Sequence, residues 1–318
     1  MKRIISASRR TDIPRYFGEW FRERRKAGSA RFRNSFGVAG EVSLEDGDLA
    51  GFLFWTRFAG RFQEQLAELR RAGVPYAFQY TINGYGPPLE MHNPGLEHAL
   101  ADFRAVCAAL PGPEAIQWRY DPIVVSGTLD ETFHRARFRT IARALEGSTR
   151  VVNTSLVEPY VKTVRRVADG SVKYRPVDPK RHKSVARRHP DLPEAGDRER
   201  ALLEELGEIA ARHGLELRAC CNPEWGLPPS QCAGPELFSA YGLTLHDLPG
   251  GPTRPTCRCV ATVDIGMDNT CLAGCRYCYV VASHATAVAN FRRHDPAAGQ
   301  LRADRESTPG SIGASPSR

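Results

Sequence analysis

Nine cysteines carry most of the chemistry this chain can do, and eight of them fall in its final third. The last three form a Cys271-x-x-x-Cys275-x-x-Cys278 array, with Tyr277 just before the third thiol. Three thiolates so close on one loop can take three corners of a cubane iron–sulfur cluster, leaving the fourth iron to a small chelating ligand. A disulfide framework uses an even set of cysteines, and a structural zinc fills all four positions from protein. Zinc stays open as an alternative, because Cys275-x-x-Cys278 is a common zinc knuckle and Cys257 with Cys259 can supply a second pair. The three-residue gap, the aromatic Tyr277 and Gly274, which lets the loop wrap closely, favour the cluster.

A second site can be drawn from the five cysteines upstream. Cys220, Cys232, Cys257 and Cys259 are its natural four, enough for a closed iron–sulfur cluster or a tetrahedral zinc. The single residue between Cys257 and Cys259 is tighter than the usual zinc gap and tilts the choice towards iron–sulfur. Cys221 is then an adjacent spare or exchanges with Cys220. Cys107 lies on the apolar face of a helix and reads as a small core residue.

The elements that must position these thiols follow a β/α rhythm. Strands are expected at Arg3 to Ser8, Gly51 to Arg57, Val74 to Thr81, Ala115 to Pro122, Thr149 to Ser155 and Leu215 to Cys220. Helices follow Pro14 and fall at roughly 60–72, 95–109, 130–146 and 197–213. Parallel β/α units in this number predict an α/β fold, a partial or complete TIM-type barrel with a C-terminal Cys-rich iron–sulfur segment. The expected organisation is a barrel-like domain over 1–219, a Cys-rich segment over 220–294 packed on the barrel mouth, and a disordered tail over 295–318. Each strand ends in polar groups: Arg9 and Asp12, Thr56 and Arg57, Gln79 and Thr81, Arg119 and Asp121, Ser155 and Glu158, then Cys220. Taken together they predict a polar mouth where active sites of such barrels are built.

Composition narrows the class without naming a reaction. No run of about 18 apolar residues occurs, so no membrane helix is expected. The opening Met1-Lys2-Arg3-Ile4-Ile5-Ser6 lacks a signal-peptide core, which with the clustered thiols implies a reducing, cytoplasmic setting. A net charge of +8 admits nucleic acid or an anionic cofactor as partner, though much of it lies on helix faces such as Arg22 to Lys26. The irregular Tyr174 to Pro193 stretch, with Lys180-Arg181-His182-Lys183, reads as a lid, a nucleic-acid contact or a mobile basic loop.

The residues also resemble a family. Ile5 to Pro14, Phe54-Trp55-Thr56-Arg57, Trp118 to Ile123, Tyr160-Val161-Lys162-Thr163 and the run from Cys257 to Tyr279 look like an uncharacterised microbial family, a domain of unknown function. That family ends in a radical-SAM-type cysteine array. The resemblance covers the chain to about residue 290 and implies a barrel-like body with a 4Fe–4S cluster, one and at most two, and S-adenosylmethionine (SAM). The resemblance names no reaction; the leading expectation is a radical SAM-type enzyme that cleaves SAM reductively to a 5′-deoxyadenosyl radical acting on a substrate, with an electron donor such as flavodoxin or ferredoxin. The array follows the sixth strand here, whereas in the wider superfamily it follows the first. No Gly-Gly-Glu-type strand end is present to hold the amino group of SAM. Asp12, Asp121 or Glu158 are the expected substitutes for it, with Arg9, Arg10 or Arg119 binding the carboxylate of SAM.

The expected metal ligands are therefore Cys271, Cys275 and Cys278, with Cys220, Cys232, Cys257 and Cys259 as a second set. Tyr277, Thr56, Arg57 and Glu158 are the expected cofactor contacts, and Arg9, Asp12, Arg119 and Asp121 the catalytic groups. The rival functions are a zinc- or cluster-containing nucleic-acid-binding or repair protein, like spore photoproduct lyase, and ordinary hydrolysis with structural zinc. His284 and His294 flank the array and read as surface helix residues rather than ligands.

Overall fold

Alternate residues of each strand belong to two different apolar faces, and that division builds the sheet. The computed structural model of the chain describes residues 2–34, 37–157, 160, 163, 166, 196–243, 248–251 and 256–302. Its strands are β1 (Arg3–Ala7), β2 (Ser29–Arg33), β3 (Ala39–Ser43), β4 (Leu49–Thr56), β5 (Tyr76–Thr81), β6 (Ile116–Ile123), β7 (Val151–Leu156), β8 (Glu216–Ala219) and β9 (Thr262–Asp264). Seven of them form one sheet in the order β8-β7-β6-β5-β4-β1-β9, with every neighbouring pair parallel. The edge strands β8 and β9 do not pair with each other among the described residues, so these residues form an open parallel α/β sheet rather than a closed barrel.

The six strands expected from sequence are all present. The antiparallel β2–β3 hairpin was not expected, because only Ala30 and Val42 of its strands are buried and the alternation is too weak to read. The short β9 was not expected either. It lies parallel to β1, pairing Ser6 with Asp264, and delivers the chain to the cysteine array.

The helices are α1 (Ile13–Tyr16), α2 (Gly18–Lys26), α3 (Gln63–Arg71), α4 (Leu96–Cys107), α5 (Glu131–Leu145), α6 (Asp197–Arg212) and α7 (His284–Arg292). The helix expected after Pro14 divides at Phe17 into α1 and α2. Asp12 caps α1 by accepting from the Arg15 N–H, and Asp130 caps α5 by accepting from Phe133 N–H, each satisfying a donor the first helical turn cannot.

One face of the sheet carries Ile5, Phe52, Phe54, Tyr76, Phe78, Trp118 and Tyr120, buried in one core with helical residues such as Phe21, Leu66, Phe103 and Phe138. Aromatic side chains of this size contribute roughly 1.5–3 kcal/mol each on burial. The other face offers Ile4, Ala50, Leu53 and Ala77, and a second core covers it with Cys232, Ala233, Leu237, Phe238, Cys259 and Val260. The Cys-rich segment thus lies against the sheet itself, while the terminal array reaches the strand ends.

Residues 295–302 correct part of the expected disordered tail. Leu301 is buried, Arg31 N–H donates to the Gly299 carbonyl at 2.8 Å, and the Trp20 indole donates to Ala298 O at 2.9 Å. Backbone groups taken up in this way need no apolar periodicity, which is why the segment escaped sequence reading. Residues 303–318, Glu158 and the basic stretch from Tyr174 to Pro193 lie outside the described residues. Among those described, no helix is long and apolar enough to cross a membrane.

Candidate metal centre

The terminal array is anchored at both of its ends. At the first, Asp264 leaves β9 and gathers donors from the end of β1: Ser6 Oγ at 3.1 Å, Ser8 Oγ at 2.7 Å and Arg9 N–H at 3.0 Å. It also accepts from Gly266 N–H at 2.9 Å and is ion-paired with Arg10 at 3.4 Å. Gly266 is needed here, because a Cβ on it would stand 1.9 Å from Ser8 Oγ. The loop then enters the array, where Gly274 has φ +67° and a Cβ would meet His92 at 2.6 Å. A side chain at this position would be both strained and blocked.

The second anchor is Tyr277. Its hydroxyl donates to Glu90 Oε1 and accepts from Arg57 Nη2 at 2.5 Å and Asn83 Nδ2 at 3.1 Å. Arg57 also pairs with Glu90 at 2.7 Å. These partners follow β4 and β5, so one buried tyrosine ties the loop to two strand ends. Backbone contacts continue the join, with Arg276 N–H on Leu89 O at 2.9 Å and an isolated bridge between Glu90 and Cys275.

So fastened, the array lies along one cavity. Cys271, Cys275 and Cys278 line a single cavity of about 150 Å³, together with Gly274, Arg166, Arg276 and His284. A cavity of that size accepts a compact group on the scale of a benzene ring. Burial pushes the Cys271 thiol up, with Asp12 and the other two thiols adding to the effect. Burial also raises Cys275, opposed by Arg57. Among the described residues, no three His, Cys, Asp or Glu side chains close around a point as ligands of one ion would.

The strand-end residues expected to be catalytic or cofactor contacts are together, but they hold one another. Asp12 accepts from Thr56 Oγ1 at 2.7 Å and Arg57 N–H at 2.9 Å, and burial raises its pKa to about 6. Arg9 donates to Thr262 Oγ1 at 3.0 Å. Arg119 pairs with Asp121, stacks over Trp55 at 5.1 Å and donates to Cys232 Sγ at 3.1 Å. Asp121 in turn receives Ser155 Oγ. Tyr277 is a structural anchor in this network rather than a lining residue of the cavity.

The upstream thiols converge around Arg119. Cys232 is buried, with Ser230 Oγ at 3.0 Å and Cys220 Sγ at 3.9 Å. Hydrogen bonds from Cys220 and Cys259, then the charge of Arg119, hold the Cys232 thiol well below its usual range despite burial. Cys257 packs at the edge of the same core, and Cys221 Sγ lies 3.9 Å from Cys220 Sγ. Cys107 sits apart, donating to Ser148 O at 3.2 Å.

Sequence reading passed over several residues. Glu90 and Asn93 stand in an irregular loop with no pattern to mark them. His284 was set aside as a surface residue; it is exposed at the start of α7, yet it lines the thiol cavity. His294 packs edge-on against Phe17 at 4.9 Å and is half-buried. The family described as Domain of unknown function (DUF1848) matches residues 4–280. No curated protein matches the chain.

Proposed function

We propose that this chain, which belongs to the DUF1848 family, is an iron–sulfur enzyme of the radical SAM type. The convergence of Cys271, Cys275 and Cys278 on one cavity carries the reading. The donor set fits a cubane with three protein ligands better than a single ion. A cubane gives each thiolate its own iron and leaves a fourth iron open, an arrangement that three thiols with no fourth thiol in the array can supply. Held by these thiols and reduced, such a cluster would supply the electron for radical chemistry on SAM, by which hydrogen is taken from a substrate.

The protein's part is to hold and shield. Cys271, Cys275 and Cys278 are the ligands, and Gly274 lets their loop wrap. Tyr277, Arg57, Glu90 and Asn83 fix that loop on the strand ends, excluding water from its inner side. Arg166 and Arg276 line the same cavity and are of the type that takes a carboxylate, as the amino-acid end of SAM presents. Arg9, Arg10 and Arg119 are not among the residues lining that cavity and are ion-paired with Asp264, Asp268 and Asp121. An electron donor such as flavodoxin or ferredoxin would reduce the centre.

Anaerobic reconstitution with iron and sulfide, followed by electron paramagnetic resonance with and without SAM, tests the proposal. A cluster signal that shifts on adding SAM is expected. A signal that SAM leaves unmoved overturns it.

A further inference from the structure

Cys275 is the thiol of the array with a side-chain amide on its sulfur. Asn93 Nδ2 lies 3.3 Å from Cys275 Sγ, and the other end of that amide, Oδ1, accepts from Arg15 Nη1 at 3.1 Å. This fixes which way the amide faces. A guanidinium only donates, so the oxygen must meet Arg15 and the NH₂ must meet the sulfur. Arg15 is held in turn, donating to the His92 carbonyl at 2.5 Å and lying over the Tyr16 ring at 4.9 Å. Its backbone N–H is on the Asp12 cap of α1. The Asn93 backbone N–H closes a turn on Glu90 O at 3.2 Å, in the segment that bridges to Cys275. Both ends of the amide are therefore placed by structure that exists without any bound group.

We infer that Asn93, oriented by Arg15, is a positioning residue that tunes the redox behaviour of the centre through a hydrogen bond to Cys275. The inference rests on the cluster reading above. Reduction adds negative charge to a cluster and its thiolates, and a donor on the sulfur stabilises that added charge, so it raises the potential. Arg15 contributes twice, by orienting the amide and by polarising it through its own positive charge.

The test is the midpoint potential of the reconstituted protein, followed by electron paramagnetic resonance at poised potentials. Asn93→Ala is expected to lower the reduced-to-oxidised ratio at a fixed potential about tenfold, a shift of about 59 mV to more negative values for a one-electron couple. Arg15→Met should shift it in the same direction by less, since the amide stays but is free to turn. Should the alanine variant fold poorly, the near-isosteric and uncharged Asn93→Leu keeps the bulk, removes the donor and must also lower the potential. Variants that retain their iron and keep the wild-type potential overturn the inference alone. Wild-type protein that takes up no cluster overturns the cluster reading and this inference with it.

Discussion

The Arg57 guanidinium donates to the Tyr277 hydroxyl at 2.5 Å, joining the end of β4 to the far end of the cysteine array, one residue before its last thiol. Glu90 accepts from both, so three buried polar side chains satisfy one another where the loop meets the sheet. Removing the hydroxyl leaves the others short of a partner, at a cost of about 1–3 kcal/mol. Tyr277→Phe should therefore lower the melting temperature and the iron retained after anaerobic reconstitution, because the loop loses its inner anchor. Wild-type values of both would refute the anchoring role.

Asp264 is the corresponding anchor at the other end. Four donors and the Arg10 guanidinium meet its carboxylate, and few replacements satisfy so many. Asp264→Ala should destabilise by about 3 kcal/mol, read as a lower urea midpoint, while Asp264→Asn should lose less because one acceptor oxygen survives.

His134 gives the chain a pH response. Burial pushes its pKa down from 6.5 to about 4, while its ring meets Tyr120 OH at 2.8 Å and Val124 O at 3.0 Å. The unfolded chain binds the proton more readily, so stability present above pH 6.5 is lost as pH falls towards 4. At 1.36 kcal/mol per unit this is worth about 3 kcal/mol. In His134→Gln, stability measured by urea unfolding should fall less steeply across that window than in wild type.

Asp12 acts with the opposite sign. Burial raises it from 3.8 to about 6, so the folded state holds its proton more tightly, and stability falls as pH rises from about 4 to 6. Asp12→Asn should remove that slope, again by roughly 3 kcal/mol, while keeping an acceptor for Thr56. A variant with the wild-type slope would show that Asp12 is already ionised below this range.

What sequence could and could not reveal divides along physical lines. The six β/α strands were legible because their apolar runs are long. The array was legible because its spacing is local. Glu90, Asn83 and Asn93 were not, since their role depends on where an irregular loop crosses the array, and no periodicity encodes that crossing. The inward Cys232 was named as a ligand from sequence, but its partner Arg119 was assigned to catalysis. Only the fold shows the guanidinium committed to the thiol and to Asp121.

That commitment bears on how much iron the protein should hold. Cys220 and Cys232 sulfurs stand 3.9 Å apart, nearer than thiolates on separate irons of a cubane, each of which projects from its own corner. Tetrahedral bonds of about 2.3 Å to one zinc would place sulfurs roughly 3.8 Å apart, so the inner pair has the spacing of single-ion ligands. Of that pair, Cys232 is met by Arg119, which donates to its Sγ at 3.1 Å. The inner thiols are therefore expected to take no cubane, and reconstituted protein should carry about four irons per chain rather than eight. Joint replacement of Cys271, Cys275 and Cys278 by alanine should remove all of that iron, whereas Cys232→Ala should leave it. Eight irons in the wild type, or four remaining in the triple variant, would show that the inner thiols spread to hold a cluster of their own.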